Sequence, residues 1–301
     1  MEELSTSALD ALDRTRTVVL LAVSPLEEHG PHLPVGVDAF AARYLAESVA
    51  RRIVEGRPGW AAVIAPTLHV GSFTFEATGT LPVRQRVVRD LLVDYGEGLA
   101  RAGFRHVLVS NGHGGPGHLV ALEEAASRVS RRHGIVMASI TGHLMWDFLR
   151  GRFLDRIESA LGRPLSWEEK QAVREDSHGG LWETSVMLWL RPDLVDSGFR
   201  SLPAARYSPL DRLRPNYPLR GGGTGYAGHP ALADASFARA TMDVLLDEIM
   251  ALVDGLLDRR LGPRDFRSPF SSIPLLRTNF WPVACAALAG LALLSLLRRP
   301  R

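Results

Sequence analysis

Cysteine is nearly absent from this chain of 301 residues: Cys285 stands alone, which excludes an intrachain disulfide and a thiolate metal site. Any bound metal must therefore take histidine and carboxylate donors. There is little charge of one sign: the formal net charge is +2, the pI is near 9.0, and no dense Lys/Arg stripe is interleaved with aromatics. Nucleic acid is not an expected partner. Internal repeats and low-complexity tracts are missing. A phosphate loop is missing too, because Gly221-Gly222-Gly223-Thr224-Gly225 lacks the following Lys-Ser/Thr and does not join a strand to a helix. Residues 1–16 are polar and partly acidic, without the basic start and apolar core of a secretory signal, so the main domain is expected in the cytoplasm.

Uncharged apolar sequence of membrane-spanning length occurs in one place, residues 280–297, between Arg277 and Arg298-Arg299. As a helix it would span roughly 27 Å, close to a hydrocarbon core of about 30 Å. It is apolar all round, and Trp281 sits at its edge like an interfacial anchor. These features predict a single-pass C-terminal tail anchor with the catalytic domain in the cytoplasm; the competing reading is a terminal helix buried in a core or an oligomer interface.

What is present is 46% hydrophobic residues, enough for a sizeable core, and three clusters rich in ionisable side chains. The first is Glu27-Glu28-His29-Gly30-Pro31-His32-Leu33-Pro34 with Asp38; the second is Ser110-Asn111-Gly112-His113-Gly114-Gly115; the third runs from Asp176 through His178 and Glu183 to Ser185. Hydrophobic periodicity predicts strands over 17–23, 60–66, 106–110 and 135–140. It predicts helices over 39–53, 83–102, 118–133, from the third cluster to about 190, and 231–261. Such alternation implies a mainly parallel sheet covered on both faces, with ligands beyond the carboxyl ends of its strands. Both early clusters fall there. Residues beyond 142, with Trp146 and Trp167, read as a flap or insertion, and 206–230 as loop.

Asp, Glu and His donors suit Zn²⁺ or Mn²⁺, with iron an alternative, and a shared carboxylate can build a paired site. Two ions roughly 3.5–4 Å apart would make a bridging hydroxide available near neutrality and polarise a carbonyl. Burying Glu27, His29, Asp38 and His113 together without a counter-ion would be costly. For Glu183 the alternative is a carboxylate serving a helix N-terminus, and for His178 a hydrogen-bonded buried histidine.

The three clusters, in this order and separation, resemble the creatininase (creatinine amidohydrolase) family. Thr78-Gly79-Thr80-Leu81 and Gly225-Tyr226-Ala227-Gly228-His229-Pro230 resemble its lesser motifs. The resemblance implies a three-layer α/β sandwich with a dinuclear centre that hydrolyses non-peptide or cyclic amide C–N bonds, commonly as a homohexamer. By position it implies Glu27 and His113 on one ion, His29 and Glu183 on the other, Asp38 bridging them, and His178 as the acid/base or substrate-polarising residue. His32 is expected to orient the Glu27 loop, and Glu28, where the family usually has Gln, is not expected to ligate. Creatininase itself has a glutamate two positions after the motif histidine. Gly115 stands there in this chain, which argues against creatinine as substrate and leaves Glu183 to supply the carboxylate. Pro116 replaces a frequent Asn. The expected organisation is a metallohydrolase domain over 1–261, a linker over 262–279 and the tail over 280–297. The leading reading is an amidohydrolase acting on a small amide; the alternatives are a membrane-tethered metal-binding protein without turnover and a peptidase-like member in mycofactocin-type peptide maturation.

Overall fold

The computed structural model describes residues 1–297, with the side chains of Trp146, Leu149 and residues 290–297 outside the description. After a short helix α1 (Thr6–Asp10), the chain alternates β1 (Thr17–Ala22), α2 (Val37–Gly56), β2 (Ala61–Ile64), α3 (Gln85–Arg101), β3 (His106–Ser110), α4 (Pro116–His133) and β4 (Val136–Ser139). Then follow α5 (Gly142–Leu149), α6 (Leu154–Leu161), α7 (Trp167–Glu175), α8 (Leu181–Leu190), α9 (Ala235–Leu257) and α10 (Phe280–Leu297), with short 3-10 turns between the later elements.

All strand pairs among the described residues are parallel, in the order β2-β1-β3-β4, with Leu20 opposite Ile64 on one side and Leu108 on the other. Side chains alternate across a strand. Val18, Leu20 and Ala22 therefore enter one core with α2, α6, α8 and α9, while Val19, Leu21 and Val23 enter the other with α3 and α4. Each fully buried Val or Leu contributes about 1.5–3 kcal/mol, which is why β1 can be apolar throughout. The result is the three-layer arrangement expected from the sequence.

The strand order also places the site. From central β1 the chain runs out to β2 and then crosses back to β3 on β1's other side. A crevice opens where the order reverses, beyond the carboxyl ends of β1 and β3. Ser24 Oγ donates to Asn111 Oδ1 at 2.9 Å and accepts from the Gly112 amide at 2.9 Å, locking the two post-strand loops together.

Three elements differ from the expectation. Helix α2 starts at Val37, so Asp38 lies in its first turn, where the helix dipole favours a carboxylate. Residues 142–175 form α5, α6 and α7, which pack on the α9 side through Phe148, Phe153 and Ile157; Trp167 is 78% exposed and covers nothing. Residues 262–279 run against the domain, with Phe266 buried and the Arg89 guanidinium bonded to Asn279.

The predicted tail anchor is corrected. Among the described residues no helix is long and apolar enough to cross a membrane. The membrane location inferred from this segment falls with it. The flanking arginines at 298 and 299 lie outside the described residues.

Candidate metal centre

The six residues singled out in the three clusters converge beyond the strand ends. Glu27, His29, Asp38, His113 and His178 are all buried, and the Glu183 side chain is 16% exposed. His113 Nδ1 lies 3.0 Å from Glu27 Oε2 and 3.3 Å from Asp38 Oδ2. His29 Nε2 lies 3.4 Å from Asp38 Oδ1 and 3.5 Å from Glu183 Oε2. Donor atoms of Glu27, Asp38 and His113 thus lie within 4.8 Å of one another, and so do those of His29, Asp38 and Glu183. Asp38 belongs to both groups, one oxygen facing each. A third group joins His178 to Glu27 and His29.

Hydrogen bonds at the back of each ring set its direction. His29 Nδ1 donates to the Glu27 carbonyl at 3.0 Å, which leaves Nε2 facing the carboxylates. His113 is turned the other way: Nε2 donates to the Ser72 carbonyl at 3.1 Å, leaving Nδ1 inward. Such outer partners fix tautomer and orientation in metal sites. Glu27 is held by the Phe75 amide, 2.6 Å from Oε1, and the Gly179 amide donates to Glu183 Oε2. Yet Glu27 Oε2, His29 Nε2 and Asp38 Oδ2 are buried without a hydrogen-bond partner, although oppositely charged groups lie 3.0–3.5 Å away. Close but misaligned donors are aimed at a common third atom, and these fit a divalent cation.

The electrostatics agrees. Burial works against the charged form of every group here. Glu183 and Asp38 nonetheless raise the His29 pKa well above the ordinary imidazole value, and Glu27 and Asp38 do the same for His113. For Asp38 burial is likewise outweighed, by His29 and His113, which lower its pKa; Glu27 is lowered chiefly by His113. Three carboxylates around two imidazoles demand positive charge.

His178 stands beside this cluster. Its Nε2 donates to the Glu28 carbonyl at 2.6 Å, and its ring lies 4.2 Å from that of His29 and 4.6 Å from that of Phe75. Glu28 turns its carboxylate to the Gly30 amide and enters none of the donor groups. His32 reaches Thr184 Oγ1 at 2.8 Å, tying the first cluster to α8; burial and nearby His29 lower its pKa to about 4, keeping it neutral. The lesser motifs brace the loop: Thr80 Oγ1 accepts from the Glu28 amide, and Ala227 pairs with His178 in an antiparallel bridge.

Sequence reasoning missed Ser72 and Phe75, which act through backbone atoms that no side-chain pattern reveals. It also missed the role of Asp176, whose carboxylate accepts the Leu181 and Trp182 amides at the start of α8. An acid five residues before a helical run was the available signal.

A buried carboxylate–imidazole centre at the reversal point of a doubly covered parallel sheet defines a metal-dependent hydrolase class. The chain belongs to the creatininase family: the family model described as creatinine amidohydrolase matches residues 2–253. It is 28% identical over 263 residues to the mycofactocin precursor peptide peptidase of Mycobacterium ulcerans (strain Agy99), covering 83% of this chain and 90% of that protein. It is 29% identical over 203 residues to the creatinine amidohydrolase of Pseudomonas putida, covering 64% and 72%. A solved structure described as "Creatininase Mn" is 26% identical, with a TM-score of 0.61 over 84% of this chain and 96% of its own.

Proposed function

We propose that this chain holds two divalent ions, zinc or manganese, and hydrolyses an amide C–N bond. The observation that carries the reading is Asp38, whose two oxygens face two separate donor groups. Glu27, Asp38 and His113 hold one ion; His29, Asp38 and Glu183 hold the other. When bound, such a pair supplies an acidified water and polarises the carbonyl under attack. The chain does the rest. The Glu27 and Ser72 carbonyls keep His29 and His113 in opposite tautomers, so each presents its lone pair inward. Asp38 is anchored at the first turn of α2. His178, held through Nε2 by the Glu28 carbonyl, leaves Nδ1 to take a proton from the attacking water and hand it to the leaving nitrogen.

Creatinine is disfavoured as substrate. A Cβ at Gly115 would lie 2.3 Å from His113 Nε2 and 2.9 Å from the Phe73 carbonyl, so no carboxylate can project from that position and Glu183 completes the set. A second reading of the substrate, the end of a modified peptide, is favoured by the relatives named mycofactocin precursor peptide peptidase, which match 83% of this chain. Family likeness also supports a homo-oligomer, a hexamer, which light scattering would report.

Elemental analysis of the purified chain beside its Asp38→Ala and His178→Ala variants tests the reading. About two ions per chain are expected, mostly lost in Asp38→Ala and kept in His178→Ala, whose turnover of cyclic amides, formamides and peptide ends falls by 10²-fold or more. A chain that takes up no added metal sinks the proposal; two ions with no turnover on any of the three classes leaves a metal-binding protein.

A further inference from the structure

Glu28 is the carboxylate of the first cluster that enters none of the donor groups. Its side chain is only 11% exposed, and burying a charge is costly unless something answers it. Oε2 accepts the Gly30 amide at 3.0 Å, but Oε1 is buried without a hydrogen-bond partner. Among the described residues the ion-pair partner of this carboxylate is His178, whose Nε2 lies 3.8 Å from Oε1; no arginine or lysine comes within 4.0 Å. The same Nε2 already donates to the Glu28 backbone carbonyl at 2.6 Å. The carboxylate therefore meets the imidazole as a charge and not as a second hydrogen-bond acceptor.

Its surroundings hold the carboxylate in place. The Glu28 amide donates to Thr80 Oγ1 at 3.0 Å, and Gly225, at φ +81°, packs on the carboxylate so closely that a Cβ there would lie 2.4 Å from Oε2. We propose that Glu28 is a positioning residue for His178: its backbone carbonyl fixes the ring with Nδ1 available, and its side-chain charge offsets the positive charge the ring acquires while it carries a proton. This rests on the amide-hydrolysis reading above, in which water adds to the amide carbon, its proton passes to Nδ1, and that proton leaves on the nitrogen as the C–N bond breaks. Between those two events the ring is an imidazolium, protonated on both nitrogens. An opposite charge at about 4 Å favours that state by roughly fivefold even in bulk water, and by more where water is excluded. The other role open to Glu28, bracing the ligand loop through the Gly30 amide, needs only an acceptor oxygen. A neutral glutamine supplies one.

Glu28→Gln removes the charge and keeps the shape, so it separates the two roles. Hydantoin, formanilide and leucinamide, one from each of the three amide classes above, serve as probes with the zinc-loaded full chain. The readouts are kcat, KM and metal content for wild type, Glu28→Gln, His178→Ala and the double variant. On the probe that turns over, kcat of Glu28→Gln is expected to fall about tenfold, with KM within about twofold and metal content unchanged. In the His178→Ala background the same substitution should alter kcat by less than about twofold, because its effect runs through that ring. Glu28→Asp, which keeps the charge on a shorter arm, should recover part of the loss. An unchanged kcat in Glu28→Gln overturns the inference, and so does an equal fall in both backgrounds, which would place the effect of Glu28 elsewhere than His178. Loss of metal in Glu28→Gln also overturns it and leaves the bracing role. If wild type turns over none of the three probes, or His178→Ala is as active as wild type, the reading beneath it fails and this inference with it.

Discussion

Gly115 and Gly112 show how much of the site is decided by the absence of a side chain. At Gly112 a Cβ would lie 2.3 Å from the Asp38 carbonyl oxygen, so the first turn of α2 approaches the loop after β3 only because nothing projects there. At Gly115 the obstacle would be the His113 ring. Gly115→Ala is therefore expected to push His113 off the Ser72 carbonyl and lower loading toward one ion per chain, measurable by elemental analysis. Overpacking of this kind also costs about 1–3 kcal/mol, visible as a lower Tm. The candidate ligand side chains were legible in the sequence because Glu, His and Asp in tight clusters have few other uses after buried strands. The roles of Ser72 and Phe75 were not, since any residue supplies a carbonyl or an amide.

Among the elements, α8 depends on Asp176. The carboxylate caps the first two amides of the helix that carries Glu183, and burial, aided by Glu183, raises its pKa to about 7. Asp176→Ala is expected to cost about 1–2 kcal/mol, the usual value of a lost cap, in a denaturant titration. A change within error would remove the capping role. Helix α4 offers a pH test away from the metal centre. Burial raises Glu123 from its ordinary 4.5 to about 7, with the Ser268 amide and Arg267 opposing and Glu124 adding to the shift. Its Oε1 accepts from the Ser268 amide, while Oε2 has no partner. Below pH 4.5 folded and unfolded carboxyls are both protonated. Between 4.5 and 7 only the unfolded one ionises, so stability falls as pH rises, and it levels off above 7. In Glu123→Gln that decline should flatten, with a higher Tm than wild type at pH 8; an unchanged pH profile would show that the group titrates normally. Strand positions were legible from apolar runs. Helix starts were less so: α2 begins ahead of its apolar stripe, α4 begins at a proline, and α9 waits for the Asp234 cap.

For the whole molecule, the two ions proposed above would be part of stability. A ligand that binds only the folded chain adds RT ln(1 + [L]/Kd), about 2.7 kcal/mol at a hundredfold excess over Kd. Chelation is therefore expected to lower Tm by several degrees and added zinc or manganese to restore it, in a calorimetric scan; a Tm indifferent to both would count against any resident ion. The parallel α/β architecture and the six clustered residues were readable from the chain because they depend on local periodicity and on residue types whose burial needs a partner. The C-terminal run was read as a span from its composition; among the described residues no helix is long and apolar enough to cross a membrane. Sequence alone brought out the candidate residues for a cation, through the high cost of burying unpaired charge. Only the tertiary structure decided which oxygen of Asp38 faces which donor group and which ring nitrogen faces inward, because strand order and backbone hydrogen bonds from distant loops fix side-chain direction.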